Sequence, residues 1–141
     1  MSLDIACAKR PDISEKDWDI FPAECVISYG YMSHLNFRKE LLQAAYPEYK
    51  LPNAVLYPLS TSILPDEWVN DFFEKDEGLA TFVMHCDCEG HFTPDECKKV
   101  YDSLCKINPD SLKNVWNVNY LKRWKSAFRY CAENSLYLIF I

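Results

Sequence analysis

HCDCEGHFTPDECKKVYDSL, residues 85–104, decides how the rest of the chain is read. Its second half is a helix start. Thr93, Pro94 and Glu96 supply an N-cap hydroxyl, a proline in the first helical slot and a glutamate placed to reach back, which together make a capping box. Cys97, Val100, Tyr101, Leu104 and Cys105 then recur at helical spacing, and Asn108-Pro109 closes the run. The first half crowds His85, Cys86, Asp87, Cys88, Glu89 and His91 around Gly90. Nowhere else do ligand-type side chains gather so densely.

Working upstream, Leu79–His85 reads as a helical turn or two, so residues 79–106 are expected to form a helix–loop–helix. Before it, Pro65 opens a helix whose Trp68, Val69, Phe72 and Phe73 form a stripe for burial, with Glu74–Glu77 and Gly78 ending it. Glu48–Leu64, interrupted by prolines, reads as a surface loop pinned by Val55, Leu56 and Tyr57. An earlier helix runs from Ser33, a fair N-cap, to Tyr46 before Pro47. Leu35, Leu41, Leu42 and Ala45 form its inner face, while Arg38, Lys39, Glu40 and Gln43 form its wet one. Glu24–Tyr31 suits a short strand or an irregular lead-in.

Downstream, a long helix is expected over Leu112–Asn134, turning Val115, Trp116, Tyr120, Leu121, Trp124, Phe128 and Cys131 inward. The closing SLYLIFI is a β-like apolar run that needs cover, expected from a strand of the N-terminal region. The fold class is therefore mainly α: a single domain, 1–141, of about four to five packed helices with a small β element.

Half of the chain is apolar, at 49%, and aromatics reach 15%, enough for a dense core without disulfides. No apolar run is long enough to cross a bilayer, and MSLDIACAKRPD lacks the apolar stretch of a signal peptide, so a cytoplasmic protein with no membrane partner is expected. Seven cysteines are an odd number for a disulfide framework. Cys97, Cys105 and Cys131 sit at helix-face positions and are expected in the core. The net charge of −6 argues against nucleic acid. That charge is segregated: from Leu112 onward Lys113, Lys122, Arg123, Lys125 and Arg129 face one acid, Glu133, for +4, which leaves −10 on residues 1–111. Either a basic helix lies on an acidic body, or Lys122, Arg123, Lys125 and Arg129 offer an acidic protein partner a surface.

Three chemistries suit the 85–96 loop. With Gly90 at the sixth position of a calcium loop, His85, Asp87, Glu89, His91 and Glu96 fall at the first, third, fifth, seventh and twelfth. Imidazole is a poor first ligand for calcium, however, and Glu96 belongs to the capping box. Zinc can draw on His85, Cys86, Cys88 and His91, although Cys86-x-Cys88 is a weaker chelate than C-x₂-C. A cysteine nucleophile beside a histidine base lacks any accompanying oxyanion or phosphate loop. Three glycines in the whole chain exclude dinucleotide and P-loop fingerprints, so no cofactor is expected. Against all three stands a plain connection between helices, with Asp87 capping locally, Gly90 at positive φ, and Cys88 and Phe92 tucked inward. His85, Asp87, Glu89 and His91 are left as the candidate metal ligands.

His85-Cys86-Asp87-Cys88-Glu89-Gly90 followed by Thr93-Pro94 resembles the H-S-D-C-D-G…S-P segment of a group of small bacterial proteins. Ser28–Leu42 is similar to their S-Y-S-x-F-x-x-F-R-x-x-L stretch, and Ala132-Glu133-Asn134 to an A-x-E-N helix end. Cys86 departs from the pattern, as does the spacing at Met32–Leu35. The resemblance implies a helical fold and carries over no catalytic residue. The expectation is a non-enzymatic protein-binding module, one form being an immunity protein that blocks a toxin. The alternative is a metal-binding protein or metal-dependent enzyme using the loop.

Overall fold

Two segments from opposite ends of the sequence, Ser2–Ala8 (β1) and Tyr137–Phe140 (β4), pair antiparallel at the centre of a four-stranded sheet. The sheet is completed by Ser28–Gly30 (β2) outside β1 and by His91–Phe92 (β3) outside β4, in the order β2-β1-β4-β3. This is a computed structural model, and it describes residues 2–49, 64, 66–85 and 89–141. The apolar end of the chain thus becomes an inner strand, paired on both sides. An unpaired edge of that composition would template aggregation. Leu138 pairs with both Cys7 and Phe92.

Five α-helices are present among the described residues: Tyr31–Ala45 (α1), Asp66–Lys75 (α2), Glu77–Val83 (α3), Pro94–Cys105 (α4) and Val115–Glu133 (α5). The mainly helical expectation holds, as does the strand pairing between the chain's two ends. The loop expected over Glu48–Leu64, with Val55, Leu56 and Tyr57, lies almost entirely outside the described residues. Helices and sheet close over a ring-rich core. Phe82 meets Trp124 at 4.9 Å, Phe37 meets Tyr120 at 4.6 Å, and Trp124 stacks on Phe128 at 5.4 Å. Each such pair adds roughly 0.5–1.5 kcal/mol beyond the area it buries.

The capping box of α4 is complete. Thr93 Oγ1 accepts from the Glu96 N–H at 3.1 Å, and Glu96 Oε1 accepts from the Thr93 N–H at 2.9 Å. Several other expectations are corrected. α1 starts at Tyr31, two residues before Ser33, and its N-cap is Gly30 rather than Ser33. Arg38 belongs to the interior rather than the wet face. Cys105 is exposed while Cys97 and Cys131 are buried; eight residues at about 100° each bring Cys105 roughly 80° round from Cys97, off the packed face. Ser103 takes a buried place instead. Phe73 is 38% exposed at the margin of its stripe, and Val115 and Trp116 are 74% and 71% exposed. Those two residues open α5 ahead of the core, which begins at Asn117.

Gly78 does not end a helix; it lies inside α3. Asp76 separates α2 from α3 and caps the latter by accepting from the Leu79 N–H at 3.1 Å. A Cβ on Gly78 would sit 2.2 Å from the Lys99 carbonyl oxygen, so the missing side chain is what lets α3 approach α4.

Candidate functional site

The ligand-rich loop is organised by the sheet. Gly90, at φ +96°, turns the chain so that its carbonyl accepts from the Phe140 N–H at 3.0 Å and His91 falls opposite Ile139. Strand alternation then sends Phe92 into the core and His91 outward, where its ring stands against Tyr137 at 5.4 Å. The His85 ring lies over Phe92 at 4.2 Å and near Phe140 at 4.9 Å. Its Nε2 is 3.2 Å from the His91 carbonyl oxygen, a contact in which the imidazole N–H donates. A Cβ at residue 90 would come within 3.2 Å of the same ring. Of the four candidate metal ligands, His85 is therefore turned onto the aromatic core, Glu89 and His91 are exposed, and Asp87 lies outside the described residues with Cys86 and Cys88. Among the described residues, no three His, Cys, Asp or Glu side chains gather as a metal ion would need.

Behind the loop sits a group that the sequence reading missed. Arg38 of α1 is fully buried, and its Nη1 donates to the carbonyls of Val83 at 3.0 Å and His85 at 2.9 Å. These lie at and just past the end of α3, where carbonyls lack helical partners and the dipole is negative. His34, one turn earlier, is buried with its Nδ1 3.4 Å from the Tyr120 hydroxyl. Burial, followed by the nearby charges of Arg38 and His85, holds its pKa well below the ordinary imidazole value, so it is neutral. The i, i+4 spacing of His34 and Arg38 on the apolar side of α1 was the available signal.

Three thiols from three elements also meet inside. Cys131 of α5 lies beside Cys7 of β1 and Cys97 of α4, and those neighbours, with burial, push its pKa up. Cys25 is pushed up to about 11, chiefly by burial. Cys7 Sγ donates to the Asp19 carbonyl at 3.5 Å and Cys97 Sγ to the Phe92 carbonyl at 3.9 Å, and buried thiols held in this way are packing groups.

The outer side of α5 has a different character. Lys122, Lys125 and Arg129, spaced i, i+3, i+7, line a cleft of about 270 Å³ with Tyr101 and Ser126. Arg129 Nε is bonded to Glu133 at 2.9 Å. Neither Lys122 nor Lys125 has an ion pair among the described residues. Arg123, one step round the helix, leaves this cleft and donates from Nη1 to the Val26 carbonyl at 3.0 Å. Three of the four basic residues singled out in the sequence are thus brought together and the fourth is turned to a neighbouring groove. No described helix is long and apolar enough to cross a membrane. Comparison with protein-family models, with curated proteins and with solved structures finds no match to this chain.

Proposed function

We propose that this chain is a non-enzymatic binding module whose outer α5 face docks an acidic protein. The observation that carries this reading is the clustering of Lys122, Lys125 and Arg129 around one cleft on a chain of net charge −6. A basic cluster on an acidic protein is a directional feature: it attracts acidic surfaces to one place while the body repels them elsewhere. Val115, exposed and seven residues before Lys122 on the same helix face, adds apolar contact area that charge alone does not supply. The protein is read as cytoplasmic, where the free thiols of Cys7, Cys25, Cys97, Cys105 and Cys131 suit reducing conditions.

The test compares the intact protein with a variant carrying Lys122→Glu, Lys125→Glu and Arg129→Glu, both immobilised and exposed to a bacterial cytoplasmic extract. A protein held by the wild type at low salt, released by high salt and not held by the variant is the expected result. Retention that ignores both salt and charge reversal, or no retention at all, sinks the reading.

A further inference from the structure

We propose that the groove between β2 and α5 receives an extended, acidic segment of the partner polypeptide as a fifth strand of the sheet. This rests on the reading that α5 faces an acidic protein, and it names how that protein is held.

The backbone of β2 carries the argument. β2 is an edge strand, with no described strand on its outer side. The Asp4 carbonyl accepts from the Ile141 N–H at 3.0 Å, so the peptide groups of Asp4 turn toward the β4 side. Those of Leu3 and Ile5 therefore turn toward β2. Leu3 is paired with Tyr29, which commits the peptide groups of Tyr29 to β1 and turns those of Ser28 and Gly30 outward. Val26 shares their parity and is extended, at φ −70° and ψ 127°. Its carbonyl is met from outside by Arg123, an independent sign that this row faces the groove. The Gly30 carbonyl opens α1, since Gly30 is its N-cap. The Ser28 N–H and C=O and the Gly30 N–H are left as the outer ladder.

The opposite wall is α5. The groove between them measures about 320 Å³; Trp116, Asn119 and Arg123 line its helical side, and Tyr29 stacked on Tyr120 at 3.8 Å lies within it. Val26 and Trp116 flank it at 52% and 71% exposure. An edge ladder beside apolar and aromatic side chains is the arrangement in which an added strand is held by its backbone and chosen by alternate side chains. The lining holds one cation, Arg123, and no acid. Arg123 Nη1 donates to the Val26 carbonyl at 3.0 Å and the Ala23 carbonyl at 3.5 Å, and the other two guanidinium nitrogens carry three further N–H donors. A second copy pairing β2 against β2 would bring two basic α5 helices together, whereas an acidic strand meets complementary charge.

The test uses fluorescence anisotropy of a labelled hexapeptide alternating glutamate and valine, titrated with the intact chain. Saturable binding is expected, weakened by about tenfold or more by Trp116→Ala and by Ser28→Pro, which deletes the outward N–H. N-methylation of alternate peptide amides in the register facing β2 is expected to weaken it as much. If Ser28→Pro fails to fold by circular dichroism, the methylated peptide against wild-type protein carries the test. No binding to wild type overturns the proposal. Binding that ignores Ser28→Pro and N-methylation but is lost on Lys122→Glu/Lys125→Glu also overturns it, while leaving the basic-face reading standing. A dimer formed without peptide and abolished by Ser28→Pro identifies a second copy as the occupant and overturns it too.

Discussion

Gly78→Ala sets two physical effects against each other, and the structure says which wins. Inside a helix, alanine is favoured over glycine by about 1 kcal/mol, so helix propensity alone predicts a stabilised protein. At this position the new methyl would lie 2.2 Å from the Lys99 carbonyl oxygen, 2.3 Å from Ser103 Oγ and 2.8 Å from the Lys99 carbonyl carbon. Ordinary contact needs roughly 3.5 Å, so α3 and α4 must separate by more than an ångström. The Ser103 side chain can rotate, but the Lys99 carbonyl belongs to helix backbone. Separation also strains the bond from Ser103 Oγ to Asp76 Oδ1, now 2.6 Å, and Asp76 caps α3. Overpacking costs about 1–3 kcal/mol, and the weakened bonds add about 1 kcal/mol. Set against the propensity gain, the net loss is about 1–3 kcal/mol, or roughly 3–12 °C in Tm for a chain of this size. Urea unfolding followed by far-ultraviolet circular dichroism measures it. Gly78→Ala/Ser103→Ala removes one contact and not the backbone one, so it recovers only part of the loss. A midpoint for Gly78→Ala equal to or above wild type refutes the packing argument.

Arg38→Met keeps bulk and leaves the Val83 and His85 carbonyls without their shared donor; a loss of about 3 kcal/mol is expected, from the worth of charge-assisted bonds. Wild-type stability in urea for that variant would refute the role assigned to Arg38. His34 is neutral in the fold and has a depressed pKa, so the unfolded chain binds the extra proton as pH falls below its ordinary 6.5. Stability is fully present above that pH and is lost below it by about 1.4 kcal/mol per pH unit until the folded imidazole itself titrates. Unfolding curves between neutral pH and pH 5 should show that slope in wild type and a flatter one in His34→Gln; equal slopes refute it. Zinc or calcium ions added in excess should leave Tm unchanged, since His85 is turned onto Phe92 and His91 faces away. A ligand at a hundredfold its Kd would add about 2.7 kcal/mol, so a clear rise in Tm would overturn this view of the loop.

The helix starts were legible where the chemistry is local. The Thr93–Glu96 box needs only four consecutive residues, and Pro47 and Pro109 stop helices by their own geometry. The basic run on α5 was legible for the same reason, because i, i+3, i+7 spacing gathers Lys122, Lys125 and Arg129 on any helix. Arg38 and Gly78 were misread because their roles depend on partners 45 residues and about 21 residues away. Charge assigns an arginine to water even where its spacing places it among Leu35, Leu41 and Leu42, and a glycine after acids reads as a helix end. Cys105, Val115 and Trp116 were misplaced because a helical face says which residues align, not where the neighbouring element stops.

By itself the sequence determined the mainly helical class, the capped start of α4, the need for a partner to the terminal apolar strand, and the uneven charge. These follow from backbone propensity, spacing and composition, which act within a few residues or over the whole chain. Tertiary structure alone decided that Gly90 and His91 belong to a strand edge, that His85 lies against Phe92, that Arg38 closes the end of α3, and that a groove opens between β2 and α5. Each of these depends on which distant segments meet. Burial and hydrogen-bond pairing of such groups are settled only when the chain has closed on itself.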